Sequence, residues 1–137
     1  MLGRKDYTQQ EFDNAKTAVA DQLSSFKKVA KLVGNSSPTL DDFENLYFNN
    51  MVVVLDRYFV HRIRPVTGKD GNPLNEVELI ADSLMNNGGV FRGNNVIKYV
   101  ADSSVVRLRA GDAIKLTAAD FELLSAAFFD ELKRKFL

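Results

Sequence analysis

Cysteine is missing from this 137-residue sequence and histidine occurs once. The first absence excludes disulfides, thiolate catalysis, iron–sulfur clusters and cysteine-ligated zinc. The second leaves a histidine metal centre without a second imidazole at ligand spacing, so any metal site would have to be built from carboxylates. Net charge is absent too: 18 Lys and Arg balance 18 Asp and Glu, so no global field draws nucleic acid or an acidic membrane. No apolar run approaches the length of a membrane span, and the opening residues MLGRKDYTQQ lack the apolar core of a signal peptide. These features predict a cytoplasmic protein with no cofactor. Asn35-Ser36-Ser37 matches a glycosylation sequon, but without a secretory signal it reads as a polar turn.

What is present is a hydrophobic share of 45% and a charged share of 26%, the proportions of an ordinary globule. A chain of this length predicts one domain over residues 1–137. Its most apolar long stretch, Phe43 to Ile63, contains neither Gly nor Pro and is far too long for one strand. It predicts a central helix over Leu40–Ile63, a rod of roughly 36 Å, opened by Thr39 as N-cap with Asp42 three residues on and closed before Pro65. Phe43, Leu46, Tyr47, Met51, Val54 and Tyr58 follow one face at three-four spacing, while Val52, Val53, Leu55 and Phe59 add apolar surface elsewhere. A helix so apolar around its girth needs neighbours on most sides, which suggests a homodimer.

Three further helices are expected around it. Thr8 and Glu11 form a capping box, and Tyr7 and Phe12 occupy the positions of a hydrophobic staple. A stripe of Phe12, Ala15, Val19, Leu23, Phe26, Ala30 and Val33 follows, with Gly34 as the stop. The short connection from Asn35 to Pro38 predicts an antiparallel pair. Asn72 as cap and Pro73 at the first helical position start a third helix, striped by Val77, Ile80, Ala81 and Leu84 and ended by Gly88-Gly89. Thr117 with Asp120, and Leu116 with Phe121, repeat the box and staple ahead of Phe121, Leu124, Phe128, Leu132 and Phe136.

Between the third and fourth helices the period changes. Val96–Val100, Val105–Arg109 and Ala113–Leu116 are β-branched runs separated by hairpin-length loops, and they predict a small three-stranded antiparallel meander. Its apolar face would hold Ile97, Tyr99, Val106, Leu108, Ile114 and Leu116; the other would hold Lys98, Arg107, Arg109 and Lys115. The fold class expected is therefore mainly α, four helices with a β meander between helices 3 and 4.

Two candidate sites follow. On the expected helix Arg57, His61 and Arg64 share one side, with Arg62 beside them and Lys69 in reach from the next loop. This is a candidate anion or phosphate site, joined by Asn86, Asn87 and Arg92 from the Asn/Gly segments, whose residues readily expose backbone donors. The same cations also read as a helix end that complements the dipole and pairs with neighbouring carboxylates. The second candidate is the cationic sheet face, a docking patch for an acidic partner or else a solvated edge that discourages strand addition. It lacks stacking aromatics, which argues against single-stranded nucleic acid. Asn49 and Asn50, inside the apolar helix, need hydrogen-bond partners if buried. Thr67-Gly68-Lys69-Asp70-Gly71 lacks the leading Gly, the spacing and the Ser or Thr of a phosphate loop. No nucleophile elbow and no paired-carboxylate spacing stands out, so the reading leans away from an enzyme.

Residues Asp56 to Asn95 resemble an uncharacterised family of small helical, mostly actinobacterial cytoplasmic proteins. The residues that carry the likeness are Arg57, His61, Arg62, the Thr67–Glu76 loop and Asn86-Asn87-Gly88-Gly89. The resemblance implies a cytoplasmic bacterial protein and supplies no activity or functional residues. The function expected is a non-enzymatic binding or protein-interaction domain, with an anion-binding domain or enzyme at His61, Arg62 and Arg64 as the alternative.

Overall fold

The computed structural model describes residues 3–34 and 37–137, so the sequon's Asn35 and Ser36 lie outside the described residues. Among the described residues five α-helices occur in order: α1 Gln9–Val33, α2 Pro38–Tyr58, α3 Arg64–Thr67, α4 Pro73–Asn86 and α5 Ala118–Phe136. α2 packs against α1, α4 and α5. None of these helices is long and apolar enough to cross a membrane.

The caps explain where most helices begin. Thr8 and Glu11 exchange both bonds of a capping box, and Tyr7 and Phe12 of the staple are buried. Asn72 accepts the amides of Leu74 and Asn75 at 2.9 and 3.3 Å, with Pro73 in the first turn of α4. Thr117 and Asp120 cap α5 reciprocally. The core is rich in Phe: Phe48, Phe59, Phe91, Phe121, Phe128 and Phe136 are all almost wholly buried.

The central helix departs from expectation at both ends. Ser37, not Thr39, is its N-cap, accepting the Leu40 amide at 3.3 Å. Pro38 settles the choice, since a ring with no N–H and a preset φ suits the first helical position and places Thr39 inside the helix. At the other end α2 stops at Tyr58, five residues short of Ile63. The reason is non-local. Residues 61–63 leave the helix to meet the N-terminal segment: Arg4 donates its amide to the His61 carbonyl at 2.7 Å, and Ile63 donates to the Arg4 carbonyl at 3.1 Å. Phe59 then turns inward, 4.9 Å from Tyr7 between ring centroids.

The three-stranded meander is not formed: among the described residues there are isolated bridges but no β-strand. Ala101–Ser103 is a 3-10 turn, and Arg107 takes a positive φ of 57° that no strand accommodates. Helix side chains take the place of ladder partners. The Glu76 carboxylate accepts the amides of Val105 and Val106 at 2.8 and 3.0 Å. Asn49 donates to the Ile114 carbonyl at 2.8 Å and accepts the Leu116 amide at 3.1 Å. Ser83 accepts the Arg92 amide at 3.1 Å, and Asn45 donates to the Leu116 carbonyl at 3.0 Å. A segment of some thirty residues is thus pinned without regular structure of its own, and Ile97, Ile114 and Leu116 still reach the core. Alternation of apolar residues marked what is buried, whereas hydrogen bonds expected between strands went in part to side chains of α2 and α4.

Candidate functional site

Because α2 ends at Tyr58, Arg57, His61 and Arg64 do not share a helical side. Arg57 and His61 are exposed, as is Lys69 on the loop before α4. Arg62 lies with its side chain only 5% exposed, 2.7 Å from Asp56 and with its guanidinium over the Phe128 ring. It also donates to the carbonyls of Phe59 and Leu74, at 3.0 and 3.3 Å. Arg64 pairs with Glu78 at 2.6 Å. Asn86 donates to Asp82, Asn87 donates to the Val90 carbonyl, and Arg92 stands 3.9 Å from Asp82. Most of these groups are thus engaged by neighbours, and of the alternative reading the pairing of Arg62 and Arg64 with carboxylates is seen, without the helix end it assumed.

Lys98, Arg107, Arg109 and Lys115 are exposed but share no sheet face, since the sheet does not exist. Arg109 pairs with Asp102. The Thr67–Glu76 loop is knitted internally. Asn75, wholly buried, donates to the Gly68 carbonyl and accepts the Gly71 amide, both at 2.9 Å. Lys135 from α5 closes it by donating to the Thr67 carbonyl at 3.0 Å.

Glu76 is 1% exposed, and burial pushes its pKa upward while the two amides it accepts pull it back. Its neighbours Leu74, Val77 and Ile80 are apolar. The sequence signal for this burial is its position four before Ile80 and seven before Ser83, on the stripe that faces the core. Glu11 behaves oppositely: Arg4 and the Thr8 cap hold its pKa down at about 2. Among the described residues no group of three or more His, Asp and Glu is placed to hold a metal ion.

The surface that stands out belongs to α2. At 3.6 residues per turn the buried stripe is Phe48, Met51, Val52, Leu55 and Phe59. On the opposite side lies a second stripe: Phe43, Leu46, Val53, Val54 and Tyr58, interrupted by Asn50 and Arg57. Leu46 is 72% exposed, Phe43 48% and Tyr58 46%. Met85 of α4, 68% exposed, adjoins it, as do Val29 and Val33 of α1. Shallow hollows flank the ridge. One of about 400 Å³ is lined by Val53, Val54, Arg57 and Tyr58. Another, of about 500 Å³, runs from Leu46 and Asn50 to Met85 and Gly89.

No family model, curated protein or solved structure matches this chain.

Proposed function

We propose that this chain is a protein-interaction domain whose docking surface is the outward face of α2. The observation that supports the reading most is the doubling of apolar stripes on a helix whose core-facing side is already complete without the second. Burying a Leu or Val side chain contributes about 1.5–3 kcal/mol, so leaving Phe43, Leu46, Val53, Val54 and Tyr58 in reach of water forgoes stabilisation that a partner would recover. Amphipathic helices dock through anchors at i, i+3, i+4 and i+7, and Phe43, Leu46 and Asn50 fall at i, i+3 and i+7 of that pattern. The engagement of Arg62 and Arg64 by carboxylates weighs in the same direction, because neither is left as a free anion ligand.

The test is to charge the face. Leu46→Glu combined with Val54→Glu leaves every buried residue of α2 in place. Wild type and variant are compared for self-association by sedimentation and for retained proteins by affinity capture from native extract. Associations present in the wild type and lost in the equally stable variant support the reading. Identical associations, or none with either protein, contradict it.

A further inference from the structure

We infer that the occupant of this face is the same face of a second copy, lying antiparallel across a two-fold axis at Asn50. The inference rests on the interaction reading and names its partner. Three features of α2 support that partner and that direction.

The first is shape. On the N-terminal side of Asn50 the face carries its most exposed apolar side chains, Phe43 and Leu46; on the C-terminal side Val53, Val54, Arg57 and Tyr58 line a hollow. In a two-fold contact residue i meets j and j meets i, so every match occurs twice. An antiparallel alignment in which paired numbers sum to about 100 sets Leu46 against Val54 and Phe43 against Arg57. Leu46 and Phe43 of each copy then lie against the hollow lined by Val53, Val54, Arg57 and Tyr58 of the other. The stripe from Phe43 to Tyr58 is roughly 22 Å long. Val33 of α1 and Met85 of α4, both exposed, widen it at its flanks.

The second is charge. Asp42 near one end of the face and Arg57 near the other are both exposed, and neither makes an ion pair among the described residues. Antiparallel packing brings Asp42 of each copy beside Arg57 of the other. A parallel pair would instead place Arg57 on Arg57 and Asp42 on Asp42, which like-charge repulsion disfavours.

The third is Asn50. It is exposed at the midpoint and its side chain makes no hydrogen bond among the described residues. An amide carries both donors and an acceptor, so two copies of it satisfy each other across the axis and fix the register.

Because the chain has no cysteine, Asn50→Cys supplies a lone thiol at the axis. Mild oxidation of this variant at low micromolar concentration is expected to give a disulfide-linked dimer. Leu123→Cys on α5, 62% exposed, serves as the control and stays largely unlinked. In sedimentation the wild type is expected to dimerise, with Leu46→Glu and Val54→Glu together weakening the dimer by on the order of 100-fold or more. A wild type monomeric to about 1 mM overturns the inference; so does a dimer indifferent to the pair whose Asn50→Cys form links no better than the control. If the wild type is monomeric but capture of other proteins still depends on Leu46 and Val54, the second copy is excluded and the interaction reading stands. If nothing depends on them, both fall.

Discussion

The Glu76 carboxylate accepts the Val105 amide at 2.8 Å across 29 residues of chain, and its other oxygen takes the next amide, that of Val106. Two backbone donors of a segment without ladders therefore depend on one buried side chain. Glu76→Ala leaves both unsatisfied and is expected to destabilise by about 2–4 kcal/mol, read as a lower urea midpoint. A loss below about 1 kcal/mol would mean that water or a rearranged loop replaces the carboxylate.

The same group predicts a pH dependence of definite sign. Burial raises its folded pKa, so between the ordinary glutamate value of about 4.3 and that raised value the folded state binds more proton than the unfolded. Its contribution is most favourable below that window and declines as pH rises through it. Glu11 runs the other way: with its pKa held down at about 2, it stabilises at neutral pH and loses that contribution as pH falls from about 4.3 toward 2. Its side chain is 40% exposed, so solvent and salt weaken the effect. Urea unfolding of wild type and Glu76→Gln at pH 7 and at about pH 4 should show the wild type gaining relative to the variant at the lower pH. An equal gap at both values would refute the assignment.

Arg62 is held by Asp56 and two further backbone carbonyls on the buried side of the α2 terminus. Arg62→Ala strands Asp56 and removes a donor from the Phe59 carbonyl at the end of α2 and from the Leu74 carbonyl in the first turn of α4. The expected loss is about 3 kcal/mol, toward the lower part of the range for broken buried pairs because the Asp56 side chain is 23% exposed. Chemical denaturation of the variant reads it, and an unchanged midpoint would show that the pair is incidental.

Gly71 combines a φ of 88° with a close approach: a Cβ there would stand 2.5 Å from the Lys98 carbonyl oxygen. Gly88, at φ 62°, has open space where its Cβ would lie. Gly71→Ala should therefore cost about 2–3 kcal/mol and Gly88→Ala about 1 kcal/mol, the backbone term alone. Equal thermal shifts in the two variants would mean that the junction between residues 69–71 and 98 relaxes freely.

Local chemistry was legible in the sequence. The boxes of Thr8–Glu11 and Thr117–Asp120 and the Asn72-Pro73 start are made from residues adjacent in the chain, and they form as their spacing predicts. What the sequence hides is long-range. The end of α2 depends on Arg4 meeting His61 and Ile63, and the meander gave way where Glu76 and Asn49 answer amides far away in sequence. Periodicity could show that α2 is apolar on more than one side, but not which side would be covered. The structure splits the stripe read from the sequence: Met51 is buried and Tyr47 packs against the core, while Phe43, Leu46 and Tyr58 are left outward. For the candidate cations the spacing was read on a helix that extends past Tyr58, and the geometry dissolves with the helix.

The outward stripe is tested most directly by the solution mass of wild type and the Leu46→Glu, Val54→Glu variant over about 1 µM to 1 mM. The prediction is a wild type whose mass climbs toward twice that of the chain and a variant that stays at one chain with an unchanged urea midpoint. Two superimposable curves would contradict it.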